Sequence, residues 1–318
     1  MKRYGNLWER ICSLENIALA HKRARCGKSH YSEVVMVDGD ELKFFTEIRE
    51  RLVTKSFKNS PYKVMMKNDG TKEREIWKLP YFPDRIIHNC VINVLEPIWM
   101  AGFIRDTYAS LPGRGIHDGV LRVRRAFVDS ENTKYCLKLD VRKFYHSIDH
   151  DVLKSLLRLK IKDEDVLWLL DLIIDSAPGV PIGNYSSQYF ANVYLSGFDH
   201  WVKEFLGVRY YFRYCDDMVL LGRNKDELHQ WRIEIERYLN DRLKIDLKRN
   251  WQVFPVDVRG IDFLGYRFFH GYTLLRKSIV QRFKKKYRNG EYKCLTAYNG
   301  WFVWADTYNL TQKYRVML

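Results

Sequence analysis

No apolar run in the 318-residue sequence reaches the roughly 18 residues that a membrane span requires. The best candidate, Val166–Ile174, is broken by Asp171. A membrane partner is therefore not expected. Nothing apolar follows the basic start Met1-Lys-Arg, so no secretory leader is predicted. Six cysteines stand at 12, 26, 90, 136, 215 and 294, none at CxxC spacing, and the nine histidines form no HExxH pair. A zinc module is not expected on that spacing, and a reducing cytoplasm is the expected location. Cys90 and Cys136 sit in apolar patterns as small core residues. Eight prolines, no low-complexity tract and no internal repeat leave no disordered linker to cut the chain. Acid is scarce relative to base: Lys+Arg 54 against Asp+Glu 39 gives +15. Such an excess points to a polyanion, most often nucleic acid. The 46% hydrophobic content excludes disorder along the whole chain, and 15% aromatics supply both core and stacking surfaces.

Residues 1–65 read as mostly helical, with one helix opening at Asn6 and another over Glu41–Leu52; His21–Lys28 is a basic patch. A strand hairpin follows, Tyr62–Met66 and Glu75–Leu79 around Asn68-Asp69-Gly70. Asp84 is placed as the cap of a helix with Ile86, Ile87, Cys90, Val91, Val94 and Leu95 on one stripe, and Pro97 as its end. Pro112-Gly-Arg-Gly-Ile-His is a glycine loop opening a helix, with Arg114, Arg122, Arg124 and Arg125 nearby. Tyr135–Val141 is a strand, and Asp149 or Ser147 caps the helix after it. Val208–Tyr214 and Met218–Leu221 are strands around a tight turn, and Asn224 opens a helix with Glu227 three residues on. Strand, helix, hairpin, helix is the order of an α+β, ferredoxin-like split sheet.

Three acids carry the chemical signal. Asp140 ends the apolar strand Leu137-Lys-Leu-Asp-Val, and Asp216 and Asp217 lie at a turn between hydrophobic strands. Burial of an acid in such surroundings is costly without a compensating cation. A hairpin tip beside the end of a neighbouring strand brings Asp216 against Asp140. Two unit charges at 4 Å repel by about 4 kcal/mol at an effective dielectric of 20. Mg²⁺ removes that repulsion, and two such ions about 3.5–4 Å apart activate a 3′-hydroxyl and stabilise a leaving pyrophosphate.

With those residues in view, the sequence resembles a known family. Phe212-Arg-Tyr-Cys-Asp-Asp-Met-Val resembles the YxDD box of reverse transcriptases. Arg74-Glu-Ile-Trp-Lys-Leu-Pro-Tyr-Phe-Pro-Asp-Arg-Ile-Ile-His resembles the fingers segment of bacterial retroelement enzymes, and Leu139-Asp-Val-Arg-Lys-Phe-Tyr-His-Ser-Ile-Asp-His their first catalytic box. Gly179-Val-Pro-Ile-Gly-Asn-Tyr-Ser-Ser-Gln resembles the box at template and incoming nucleotide, and Phe263-Leu-Gly-Tyr the primer grip.

The resemblance implies a right-hand polymerase. Residues 1–65 would be an N-terminal helical extension and the start of the fingers, 66–134 fingers, 135–267 palm and 268–318 a short helical thumb. It implies Asp140 and Asp216 as ligands of two Mg²⁺ ions, with Mn²⁺ a substitute, Asp217 in support and the Val141 carbonyl completing one shell. Tyr145 would exclude a ribose 2′-hydroxyl, which favours DNA synthesis. Arg74, with Lys67 or Lys72, would clamp the triphosphate; Ile182, Gly183 and Gln188 would sit at the nucleotide. Arg114, Phe263, Leu264 and Gly265 would meet template and primer.

Group II intron and retron enzymes carry Pro-Gln-Gly where this chain has Pro181-Ile182-Gly183, and Ser-Pro where it has Ser187-Gln188. That form resembles diversity-generating retroelement enzymes and lone defence-associated enzymes. In the former it implies loose copying opposite adenine. The Arg-Gly-Thr-His element of the former is Arg114-Gly-Ile-His here. Arg276, Lys277, Arg282, Lys284, Lys285, Lys286 and Arg288 form a basic stretch suited to duplex backbone, and Trp301, Trp304 and Tyr308 read as one packing helix.

The expected activity is RNA-directed DNA synthesis on a cognate structured noncoding RNA, in antiphage defence or diversity generation. Its partners would be that RNA, an RNA/DNA duplex, dNTPs and an accessory protein. The alternatives are an RNA-dependent RNA polymerase, a template-independent nucleotidyl transferase and, of another class, a noncatalytic RNA-binding scaffold.

Overall fold

The computed structural model describes residues 2–68 and 73–316. Lys72 and the Asp69-Gly70 turn signal thus lie outside the described residues. Four helices come first: α1 (Trp8–Cys12), α2 (Leu14–Ala24), α3 (Ser32–Gly39) and α4 (Glu41–Val53). Ser13 caps α2 by accepting from Asn16 N at 3.2 Å, and Asp40 caps α4 from Lys43 N at 3.2 Å. Each cap satisfies a donor that the first helical turn leaves without a partner. The patch over 21–28 is partly tied inward, with Arg23 on Glu96 at 3.2 Å and Arg25 on Asp38 at 2.5 Å.

β1 (Lys63–Asn68) and β2 (Glu73–Lys78) pair antiparallel, Lys63 opposite Lys78 and Lys67 opposite Arg74. The next helix, α5 (Ile86–Met100), corrects two sequence expectations. Asp84 does not cap it; it is buried in the irregular turn Tyr81–Arg85 and accepts from Ser60 N at 2.8 Å. Pro97 does not end it either. Proline here forfeits one hydrogen bond, while burial of Trp99 keeps the last turn closed. α5 is buried on more than its apolar stripe, so its polar residues must find partners. His88 lies between Asn59 Oδ1 (3.3 Å) and Ser186 Oγ (3.2 Å), and Glu96 accepts from Tyr189 OH at 2.8 Å.

α6 (Ile116–Ala126) follows the glycine loop, and β3 (Tyr135–Asp140) leads to α7 (Phe144–Ser147), α8 (His150–Arg158), α9 (Glu164–Ile174) and α10 (Tyr185–His200). Asp149 is the cap of α8, accepting from Val152 N at 3.0 Å. Asp163 caps α9 and also accepts from Leu7 N at 2.6 Å, so one carboxylate starts two helices. β4 (Tyr210–Tyr214) and β5 (Asp217–Gly222) form the second hairpin. α11 (Lys225–Leu243) opens with Glu227 N on Asn224 Oδ1 at 2.8 Å, the cap the sequence predicts. β6 (Gln252–Pro255), α12 (Val256–Arg259), β7 (Ile261–Phe263), β8 (Tyr266–Phe268), β9 (Thr273–Leu275), α13 (Lys277–Arg288), α14 (Thr296–Phe302) and α15 (Tyr308–Tyr314) complete the chain. Trp301, Trp304 and Tyr308 do not share a helix. Thr307 Oγ1 donates to Phe302 O at 3.0 Å, which closes α14 before α15 begins.

The strand order β4-β5-β3-β6, antiparallel throughout, is that of the ferredoxin-like split sheet. A second sheet runs β7-β8-β9. The chain divides into two compact units. Unit 1 comprises residues 1–103, 143–199 and 241–245, with α5 and α10 in its core; unit 2 comprises 104–142, 200–240 and 246–318 and holds both larger sheets. In unit 2 one buried cluster joins Val120 and Val123 of α6, Val219 of β5, Phe263 and Phe268 of the second sheet, Phe283 of α13 and Phe302 of α14.

Candidate active site

The three acids meet in unit 2 because strand register puts them there. Asp140, the last residue of β3, lies directly opposite Asp217, the first of β5. Tyr214 also pairs with Asp217, which leaves Cys215 and Asp216 as a two-residue turn. Cys215 adopts φ 57°, a left-handed conformation that tight hairpins require and that glycine usually supplies. Arg213, wholly buried, donates Nη1 to the Cys215 carbonyl at 2.8 Å and so braces the turn from inside.

Burial raises the Asp216 carboxyl well above the ordinary range, and the neighbouring Asp140 raises it further by charge and hydrogen bond. Burial also raises Asp217, against the opposing pull of Lys138. Lys138 Nζ pairs with Asp217 and lies 4.8 Å from the centroid of the Phe263 ring. Lys248 Nζ lies 2.6 Å from Asp140 Oδ2, and its backbone N–H donates to Asp140 O at 2.8 Å. Both lysines escaped the sequence reading. Lys138 had a signal: at i, i+2 on one strand it shares a face with Asp140. Lys248 and Arg213 had none.

This donor set fits a divalent cation. Asp140 Oδ1 is buried with no hydrogen-bond partner. Two carboxylates opposed across β3 and β5 and a third in the adjoining turn are hard oxygen donors of the kind Mg²⁺ and Mn²⁺ take. Val141 forms a bridge with Leu247, whose hydrogen bonds run from Lys248 N to Asp140 O and from Arg142 N to Asp246 O. The alternation of an antiparallel strand therefore turns the Val141 carbonyl to the opposite edge, the side of β5.

The other predicted residues fall into two groups. Within unit 1, a loop over residues 179–184 links Tyr145 to the β1–β2 hairpin. Val180 N donates to Tyr145 O at 2.7 Å, and Trp77 N of β2 donates to Ile182 O at 2.8 Å. Gly183 has φ 133°, and a Cβ there would stand 2.4 Å from Trp77 O, so only glycine fits. Tyr145, Ile182 and Gln188 are half-buried, Gly183 exposed, and Ser187 Oγ donates to Pro181 O at 2.7 Å. Lys67 and Arg74 are exposed and face each other across the hairpin. Within unit 2, Phe263, Leu264 and Gly265 are all buried: Leu264 packs against Gly119 and Gly265 against Trp301. Arg114 Nη1 donates to the Ile104 carbonyl at 2.8 Å.

Residues 65–268 match the family model described as reverse transcriptase (RNA-dependent DNA polymerase). The chain belongs to this family. Reverse transcriptases generally use divalent metal ions, in keeping with the acid cluster inside the matched segment. The chain is similar to Protein YkfC of Escherichia coli, 24% identical over 238 residues, covering 59% of this chain and 61% of that protein. It is also similar to the group II intron-encoded protein LtrA of Lactococcus lactis, 24% identical over 175 residues, covering 50% of this chain and 29% of that one. The chain thus spans less than two-thirds of the length of either relative. Among solved structures, apo telomerase from Candida tropicalis superposes with a TM-score of 0.51 at 13% identity, covering 72% of this chain and 52% of that one. Telomerase from Candida albicans, with a fragment of telomeric RNA, gives 0.52 at 12% identity, covering 77% and 55%. At that identity the likeness concerns the fold, and the fold is that of a right-hand polymerase. The reverse transcriptase match begins in the β1–β2 hairpin and ends in β8, so it takes in both the acid cluster and the 179–184 loop. No helix among the described residues is long and apolar enough to cross a membrane.

Proposed function

We propose that the chain is an RNA-directed DNA polymerase that extends a primer along a cognate structured noncoding RNA. The observation that supports it most is the register of β3 and β5, which gathers Asp140, Asp216 and Asp217 around a buried, unpartnered carboxylate oxygen inside a reverse transcriptase match. Asp140, Asp216, Asp217 and the Val141 carbonyl would hold two Mg²⁺ ions, with Mn²⁺ able to replace them. When bound, the ions lower the pKa of a primer 3′-hydroxyl and neutralise the triphosphate. Lys138 and Lys248 balance the strand carboxylates, and Arg213 keeps the Cys215-Asp216 turn in place. Tyr145 excludes a 2′-hydroxyl. Lys67 and Arg74, with Lys72, handle the triphosphate, and Ile182, Gly183 and Gln188 line the nucleotide. Arg114 and the turn at Phe263, Leu264 and Gly265 serve template and primer. The four-lobe division at 65/66, 134/135 and 267/268 belongs to the same reading.

A cytoplasmic setting in a bacterium, an accessory protein, and a role in antiphage defence or diversity generation complete the proposal. Its support is the Ile182-Gly183 and Ser187-Gln188 form of the middle box and the basic excess of +15. Primer extension on RNA and on DNA templates, with dNTPs or NTPs and with template omitted, tests it. Extension with dNTPs on RNA is the expected result. Extension with NTPs alone, or without template, points to the RNA polymerase or the terminal transferase; RNA binding without extension points to the scaffold.

A further inference from the structure

Residues 179–182 and Asn184 of the loop are each held by a hydrogen bond. Asn184 Nδ2 donates to Tyr62 OH at 2.7 Å, beside the bonds that hold Val180, Pro181 and Ile182. Gly179, at φ 60°, stands so close to the Tyr145 and His146 carbonyls that a Cβ would lie 2.6 and 2.7 Å from them. Its own carbonyl is held by His150, the first residue of α8, whose Nε2 is 2.7 Å away. The other ring nitrogen, Nδ1, lies 3.2 Å from Asp175 Oδ1. Asp175 also receives Lys154 Nζ on Oδ2 at 2.6 Å. A carbonyl only accepts. Nε2 therefore carries a proton and donates it to the Gly179 carbonyl, with the Asp175 carboxyl at the other ring nitrogen.

We propose that His150 is a positioning residue for nucleotide selection. Held between Asp175 and the Gly179 carbonyl, its ring fixes the start of the loop, and the Val180 N–H then fixes the Tyr145 backbone. The inference rests on the reading of Tyr145 as the group that excludes a ribose 2′-hydroxyl. A ring that discriminates by collision must be held to a fraction of an ångström, because a soft backbone lets it swing aside. His150 reaches no substrate in this scheme; it acts through the loop.

The test compares the ratio of dNTP to NTP kcat/KM for the parent, Tyr145→Val, His150→Ala, His150→Gln and Asp175→Asn. The ratio is independent of the fraction of folded enzyme, so a merely structural role does not move it. His150→Ala is expected to lower it about tenfold, the scale of one buried hydrogen bond, chiefly through a lower KM for NTPs. Asp175→Asn should lower it less. His150→Gln keeps one N–H donor for the Gly179 carbonyl and should recover much of the loss. Amide exchange of the apo protein gives a second readout: residues 179–184 should lose protection in His150→Ala. A ratio that shifts in Tyr145→Val but not in His150→Ala, or unchanged protection of the loop, overturns the role of His150 alone. A ratio unmoved by Tyr145→Val removes the Tyr145 reading, and this inference with it.

Discussion

The acid cluster and the 179–184 loop are built on opposite principles. In unit 2 the proposed catalytic groups are side chains placed by sheet register: β3 and β5 set Asp140 opposite Asp217, and a braced turn carries Asp216. In unit 1 the proposed nucleotide-facing positions are set by backbone, since Val180 N, Ile182 O and the Gly179 carbonyl make the fixing contacts while the Ile182 side chain is left half-buried. Charge chemistry needs fixed carboxylates at close range, which a sheet supplies at the cost of buried charge. Shape selection needs a fixed wall, which a hydrogen-bonded loop supplies without buried charge. The two regions should accordingly fail in different ways.

The largest effect is expected from Asp216→Ala combined with Asp217→Ala. Removing two of three carboxylates should reduce primer extension by more than about a thousandfold. RNA affinity, expected to come from phosphate contacts elsewhere, should change less than about threefold in a filter-binding assay. Substantial polymerisation by the purified double variant would break the assignment of chemistry to unit 2.

Acid should weaken unit 1 and relieve unit 2. Burial lowers the His88 pKa from 6.5 to about 4. An unfolded chain takes up that proton as pH falls through 6.5, while the folded protein resists until about 4. Stability contributed by His88 is thus lost progressively across that window, by up to about 3 kcal/mol at its lower end. The sign is reversed at Asp216 and Asp217, whose raised pKa values make the metal-free fold bind protons more readily than the unfolded chain. Urea unfolding against pH should therefore show a shallower acid limb in His88→Gln than in the parent. Identical limbs would deny His88 this role.

A smaller effect is expected from Lys248→Met. The pair with Asp140 is partly exposed, at 32% and 38% of side-chain area, so solvent screening limits its worth to about 1 kcal/mol. The variant should melt a few degrees lower in chelator, and added Mg²⁺ should recover more of that loss than it adds to the parent. Equal Mg²⁺ responses would show that the lysine and the metal do not share Asp140.

Smallest is Ile182→Gln. If the wall is backbone alone, the exchange does nothing. If the side chain contacts the nascent pair, an added amide should lower misincorporation opposite adenine by about threefold to tenfold, because a polar group left unpaired penalises the mismatch. Error spectra of cDNA made on one adenine-rich RNA decide between these.

Much of unit 2, and the start of α8 in unit 1, was legible in the sequence because the signals are local. The strands around Asp140 and Asp216-Asp217, the Asp149 cap and the Asn224 opening all depend on residues a few positions apart. Lys248 was not legible, since it meets Asp140 across 108 positions through a strand register no local pattern encodes. Asp84 misled for a related reason: its spacing suits a cap, but a buried contact with Ser60 wins. The His150 clamp was hidden because one of its partners is a backbone carbonyl, which every residue carries.

The direct opposition of Asp140 and Asp217 also bears on how such a chain can diverge. Side chains alternate between sheet faces with period two, so the site is stored as a parity. Gaining or losing one residue inside β3 or β5 would flip one acid to the far face, while the same change in a loop would not. Length variation among descendants of this chain should therefore gather in the connections and spare the two strands, whatever substitutions the strands accept.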